Sequence, residues 1–303
     1  MRRRARILLI GCGDIALRVA RRLAGRFLLF GLARTQAQSE ALLAAGVRPV
    51  PGDLDFPRTL ARLRLAPQGV LHFAPPPGEG EDDPRTRHLL AVLGRGLRFP
   101  PRLVYISTTG VYGNRQGAWV RETDMPQPRS ARARRRVAAE QLLRQACRRH
   151  QTRLTILRAP GIYAADRLPL ERLRAHTPVL LAEEDSYTNH VHAEDLARAA
   201  IAALRLGRGG RAFNVSDDAT WRMGEWFDRL ADACDLPRPP RLTRAAAEKR
   251  LTAIQWSFMS ESRRLMNDRL KRELRFRFQY PTAETLLATL AHGGKASQGG
   301  LPE

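Results

Sequence analysis

The residues best placed to do chemistry begin at Gly11-Cys12-Gly13-Asp14-Ile15-Ala16, the spacing G-x-G-x-x-A. Gly11 permits a tight turn, Gly13 lets a pyrophosphate approach the main chain, and Ala16 lets a following helix lie close to a sheet. A helix N-terminus at this point would present unpaired N–H groups to phosphates. Arg34 stands about 20 residues further on, where dinucleotide folds meet the adenosine ribose. An acid there would bind the 2′-hydroxyl of NAD; a guanidinium suits the 2′-phosphate of NADP, so NADP is expected ahead of NAD. Asp53 can accept from an adenine amino group, or can cap the helix expected near Pro57. Ala74 and Pro75-Pro76-Pro77 are small or rigid residues past which ribose-phosphates can run. Ser107-Thr108-Thr109 place hydroxyls at the carboxyl edge of a strand, facing the same crevice.

These residues need elements to hold them. An apolar run, Ile7 to Ile10, reads as a strand that feeds the glycine turn. Ile15, Val19, Ala20 and Leu23 then repeat at helical spacing, with Arg18, Arg21 and Arg22 on the other face. Further strands are expected at 27–33, 47–50, 69–74, 102–106 and 154–157, with helices at 36–45, 85–97 and 130–150 between them. The alternation predicts an α/β fold with a doubly wound parallel sheet. After Tyr163 the rhythm breaks. Short helices near 168–175, 223–235 and 243–250, the strand 179–181 and the segment 260–275 predict a smaller α/β substrate domain. The segment Asn189 to Asp195 is expected to enter a helix that runs to about 206. The divisions are 1–165 for the nucleotide-binding domain, 166–292 for the smaller part, and 293–303 for a frayed tail. The strand near 212–216 is free to return to the main sheet.

Composition excludes several classes of function. No apolar run is long enough to span a membrane. Met1-Arg2-Arg3-Arg4 with Leu9-Ile10-Gly11-Cys12 imitates a lipoprotein signal, but its apolar stretch is too short. Cys12, Cys147 and Cys234 are scattered without metal-ligand spacing, so no metal is expected and reduced thiols in a cytoplasm are. The net charge of +22 invites a nucleic-acid partner. Against that, lysine occurs only at 249, 271 and 295, and the arginines spread along helix faces with no aromatic interleaving. Nucleic acid is therefore not expected, and an anionic small-molecule substrate or a phosphate can still profit from the positive field.

Four segments in order carry a resemblance: Ser107 to Gly113 (STTGVYG), Arg158 to Tyr163 (RAPGIY), Asn189 to Ala197 (NHVHAEDLA) and Phe213 to Asp218 (FNVSDD). Asn267 to Leu274 and Tyr280-Pro281 add to it. Together they resemble the extended short-chain dehydrogenase/reductases, the NAD-dependent epimerase/dehydratase family. The resemblance implies a Rossmann domain with a small C-terminal substrate domain. It implies NAD or NADP held by Gly11, Gly13, Asp14, Ile15, Ala16, Arg34, Asp53, Leu54, Ala74 and Pro75, with Thr108 and Arg136 at the nicotinamide end. It also implies a substrate such as a sugar nucleotide or a small carbonyl compound, and homodimers paired through two Rossmann helices.

One departure bears on the chemistry. The family pairs a Ser or Thr with Tyr-x-x-x-Lys. Thr108 fits the hydroxyl position, but counting back from Glu140 puts Arg132 at the tyrosine and Arg136 at the lysine. The glycine turn also departs from the family's usual G-x-x-G-x-x-G. The chain thus resembles an atypical member. Arg136 can still hold a ribose, and both arginines can stabilise negative charge. Arg132 cannot be a general base, because its guanidinium stays protonated. Tyr163, or secondarily Tyr112, is then expected to supply the proton, with Arg167 four residues after Tyr163 as a neighbouring cation. His190 and His192 are expected to fix the domain junction in preference to doing chemistry. Trp221, Trp226 and Trp256 are candidates for a core or a pocket wall. The alternative to an oxidoreductase or epimerase is an NADP-binding sensor or scaffold without catalysis.

Overall fold

Every residue of β1 (Arg6–Ile10) after the first is buried, a pattern that only a strand covered on both faces produces. Ile7 and Leu9 enter one apolar core, whereas Leu8 and Ile10 enter another. That is period-two alternation across a sheet. The computed structural model describes residues 4–63 and 65–296, with side chains as far as 291. Met1 to Arg3 of the signal-like start and the tail from 297 lie outside the described residues.

β1 lies between β2 (Leu28–Ala33) and β4 (Gly69–His72). β3 (Arg48–Pro51) closes one edge of the sheet. β5 (Arg102–Thr108), β6 (Arg153–Ala159) and β7 (Arg211–Asn214) extend the other. The seven strands run β7-β6-β5-β4-β1-β2-β3 and are all parallel. The strand near 212–216 therefore does return to the main sheet, with Phe213 opposite Leu157. The order reverses at β1, so a crevice opens at the carboxyl ends of β1 and β4.

Helices cover both faces. α1 (Asp14–Leu23), α2 (Gln36–Ala44) and α5 (Ala193–Leu206) pack on one through Val19, Leu42 and Leu196. α3 (Pro84–Gly94) and α4 (Ala131–Arg149) pack on the other through Leu89 and Leu143. The expected helix near Pro57 is a 3₁₀ stretch, Pro57–Leu63.

A third core, built around Tyr163, Leu180, Trp226, Phe227 and Met259, belongs to the smaller part. Trp221 and Trp226 are buried in it and Trp256 packs against it, so all three support the core. The chain enters α5 differently from expectation. His190–His192 is a strand paired in parallel with Gly161–Tyr163, and the helix begins only at Ala193. Pairing fixes the backbone there, and His192 Nδ1 caps the helix by accepting from the Glu194 N–H at 3.2 Å. At the C-terminal end, helix Glu284–Ala296 runs through residues 293–296, which were expected to fray.

Candidate active site

The glycine turn closes against the end of β4. Gly11 has φ +82°, and a Cβ there would lie 2.2 Å from the Ala74 nitrogen. Only glycine fits this left-handed, crowded position. Gly13 is the opposite case: a Cβ would meet nothing within 4 Å, because the residue faces the open crevice. Gly13 is also the N-cap of α1, and no side chain caps that helix. Its first N–H groups are available to an anion. Ala16 is buried against the sheet. These features fit a dinucleotide's diphosphate.

A cavity of about 290 Å³ continues from the turn, lined by Gly11, Gly13, Arg34, Asp53, Leu54 and Ala74 among others. Pro75 and Arg85 also reach it, and Arg85 is tied to Asp55 at 2.6 Å and to the Pro75 carbonyl at 3.2 Å. The Arg34 side chain is exposed at the rim and makes no ion pair or hydrogen bond among the described residues. Asp53 accepts from the Asp55 N–H at 3.0 Å, an Asx turn that precedes the 3₁₀ stretch. Cys12 is inert here: its thiol is pushed up to about 12 by burial. Asp14 opens α1. Its carboxylate is taken by Arg18 at 2.8 Å and Arg167 at 3.0 Å, and the residue lies outside the cavity lining. Only its main chain remains for a phosphate.

The second cavity, about 400 Å³, lies between the sheet edge and the smaller part. Ile15, Thr108, Arg132, Arg136, Tyr187, Glu261 and Arg263 all line it. Phe73 lines both cavities, so they adjoin. Thr108 ends β5, and its Oγ1 accepts from the Gly110 N–H at 3.2 Å. Arg136 Nη1 donates to Tyr105 Oη at 2.9 Å and to the Ile106 carbonyl at 2.8 Å, which ties α4 to the strand that ends in Thr108. One turn later, Glu140 holds Arg158 of β6 in a bidentate pair at 2.7 and 3.1 Å, with both side chains buried. Further along, the basic start of α4 grips the acidic loop 78–83: Arg134 pairs with Glu81 at 2.8 Å, and Arg135 donates to the Gly80 carbonyl at 2.7 Å.

Tyr163 is the main correction. It is 2% exposed, sits in the third core, and does not line the second cavity. His192 and Trp226 pack around its ring at 5.2 and 5.9 Å. Burial, with the Asp217 carboxyl beside it, holds the phenol protonated. Arg167 has turned away to Asp14, because Ala165–Arg167 is a single 3₁₀ turn. The alternation of strand Gly161–Tyr163 explains this, since Ile162 lines the cavity and its neighbour must point inward. Tyr112 is a packing residue that donates to Asn214 Oδ1 at 2.7 Å. His190 is buried, and its pKa is lowered to about 4 by that burial.

A model of the NAD dependent epimerase/dehydratase family matches residues 12–216. The chain belongs to that family. Of solved structures, a functionally unknown conserved protein from Silicibacter pomeroyi DSS is 29% identical, covering 96% of this chain and 99% of that one with a TM-score of 0.80. UDP-glucose 4-epimerase from Thermotoga maritima, solved with UDP-glucose, is 18% identical over 97% of this chain and 100% of that one, with a TM-score of 0.77. A dTDP-glucose 4,6-dehydratase from Bacillus anthracis str. Ames, in complex with NAD, is 15% identical over 97% of each chain, with a TM-score of 0.75. The last two likenesses concern the fold. No curated protein matches the chain in sequence. Among the described residues no helix is long and apolar enough to cross a membrane, and no His, Cys, Asp and Glu cluster could hold a metal.

The surroundings of Thr108 are cationic. Arg132 and Arg136 both reach the cavity. Glu261 and Arg263 also face it, paired with each other at 2.8 Å, as does Tyr187. Sequence reasoning missed these three. They come from loops far along the chain, where no local spacing marks a polar residue as inward-facing. The one available signal was the charged run Glu261-Ser262-Arg263 just after the short helix Ala253–Met259.

Proposed function

We propose that this chain is a nicotinamide-dependent oxidoreductase or epimerase-type enzyme that prefers NADP and acts on a hydroxyl or carbonyl group of a small molecule. The observation that carries this reading is the adjoining of the two cavities at Phe73. One is built for a dinucleotide's adenosine and diphosphate, and the other has a hydroxyl and cations at its floor. The relatives solved with NAD and with UDP-glucose support a nicotinamide cofactor and keep a sugar nucleotide among the candidate substrates.

Bound, the nicotinamide ring would exchange a hydride with the substrate carbon. The residues do the rest. Gly11, Gly13 and the start of α1 hold the diphosphate, and Arg34 pairs with a 2′-phosphate. Thr108 donates to the reacting oxygen. Arg132 and Arg136 give the surrounding cavity the positive field that favours an anionic substrate. The proton of a substrate hydroxyl has Glu261 as its acceptor, since Glu261 is the only carboxylate among the residues that line the cavity.

Calorimetric titration with NADPH and NADH, beside Arg34→Ala, is the test. NADPH should bind more tightly than NADH, and the variant should lose about tenfold or more of that affinity. Binding of neither nucleotide would end the reading. The competing role, a sensor without catalysis, is motivated by the absent tyrosine. Hydride transfer to any carbonyl substrate excludes it.

A further inference from the structure

Two guanidiniums in the second cavity have no carboxylate partner. Arg132 makes no hydrogen bond or ion pair among the described residues, and its direct contact is the Phe258 ring at 4.2 Å from the centroid. Arg136 bonds only to neutral oxygens, Tyr105 Oη and the Ile106 carbonyl. Glu261 attracts Arg132 from a distance but is itself bound to Arg263, which also donates to the Gly113 carbonyl at 2.7 Å. Three guanidiniums thus face one carboxylate. Partial desolvation at the cavity wall and repulsion from Arg136, Arg263 and Arg135 push the Arg132 pKa down, although a guanidinium keeps its proton.

A separate observation points the same way. Ser107 lines this cavity, is 3% exposed, and its hydroxyl has no hydrogen-bond partner. A buried donor without an acceptor is costly, so a pocket that keeps one is built for an acceptor that arrives with the ligand.

The geometry also says where those acceptors sit. Arg132 and Arg136 are one turn apart on α4, with Cβ atoms roughly 5–6 Å apart. Arg136 is anchored at Ile106, two residues before Thr108. We propose that Arg132 and Arg136, with Ser107, clamp a carboxylate or phosphate that the substrate carries within a few bonds of the carbon whose oxygen Thr108 holds. The substrate class is then a hydroxy or oxo acid, or a phosphate of similar compactness, and uncharged analogues are excluded. This rests on the nicotinamide reading of the same cavity. It replaces the proton chemistry expected at the tyrosine position with selection by charge.

Chemical footprinting of the intact chain with phenylglyoxal, read by mass spectrometry, tests the clamp without knowledge of the substrate. Arg132 is exposed and unpaired, so it should react. Malonate or inorganic phosphate should slow that reaction about fivefold once it exceeds its Kd about fourfold. Neutral malonamide should not, and Arg26, exposed outside both cavities, should be indifferent to all three. Arg136→Gln should weaken the protection. Protection by malonate alone would identify the group as a carboxylate, and by phosphate alone as a phosphate. Equal rates at Arg132 with and without anion, or equal shielding by malonamide, would overturn the clamp. NADPH, added separately, should shield Arg34. If it does while anions leave Arg132 untouched, the clamp fails and the cofactor reading stands. If anions protect Arg132 but NADPH shields nothing, the cofactor reading fails and the anion site stands.

Discussion

The two cavities are built from different material. The dinucleotide crevice is built around main chain: a positive-φ glycine against Ala74 and an uncapped helix start, with Arg34 and Arg85 beside them. The second cavity is mostly side chains, drawn from β5, α4, the strand after Pro160, and the segment 257–263. Backbone sites depend on a few residues that permit a shape. Side-chain sites depend on which of many polar groups happen to face inward. The first kind should therefore be fragile at single glycines, and the second tolerant in fold but easily altered in chemistry.

Gly11→Ala is the severest test of that contrast. Its methyl would overlap the Ala74 backbone, and φ +82° disfavours any side chain. We expect about 3 kcal/mol or more of destabilisation and loss of nucleotide binding, read by urea unfolding and by titration. Near-normal stability would show that the turn is looser than described.

The support beneath the second cavity comes next. Glu140→Ala strands the Arg158 cation in a buried site, and removal of one partner of such a pair costs about 3–5 kcal/mol. Urea unfolding should show that loss. A double variant, Glu140→Ala with Arg158→Met, should recover part of it.

A third effect should appear on pH. The Asp217 carboxyl is raised to about 8, first by burial and then by the Asp218 charge. The folded state therefore binds a proton that the unfolded state has released. Stability should fall as pH rises from the ordinary carboxylate range to about 8 and level off above that. Asp217→Asn should flatten this slope in unfolding experiments run across that window. An unchanged slope would assign it to other groups.

The smallest change is expected from Tyr163→Phe. The Tyr163 hydroxyl has only the neighbouring Asp217 carboxyl as a polar contact and makes no close hydrogen bond among the described residues, so stability should move by less than about 1 kcal/mol and NADPH affinity not at all. Should the variant lose turnover on a substrate that the parent accepts, the phenol would return as the proton donor.

Part of the molecule was legible in advance because it follows local rules. The run Ile7 to Ile10, the glycine spacing and the helical repeat after it fixed the first βα unit, and alternation extended it to a parallel sheet. The strand at His190–His192 was not legible, since its partner Gly161–Tyr163 is distant in sequence and the same residues also read as a helix start. Tyr163 was misread for a related reason. Its type and its spacing from Arg167 suited chemistry, but the facing of a two-sided strand is set by what packs on each side.

By itself, then, the sequence determined the fold class, the family and the nucleotide turn, because glycine spacing and hydrophobic period act over a few residues. It also determined that no tyrosine is followed four residues later by a lysine. Only the tertiary structure decided that Arg132 and Arg136 share a cavity with Thr108, that Glu261 lines it beside Arg263, and that Tyr163 is buried. Charge balance inside a pocket depends on segments more than a hundred residues apart, and no local pattern carries that information.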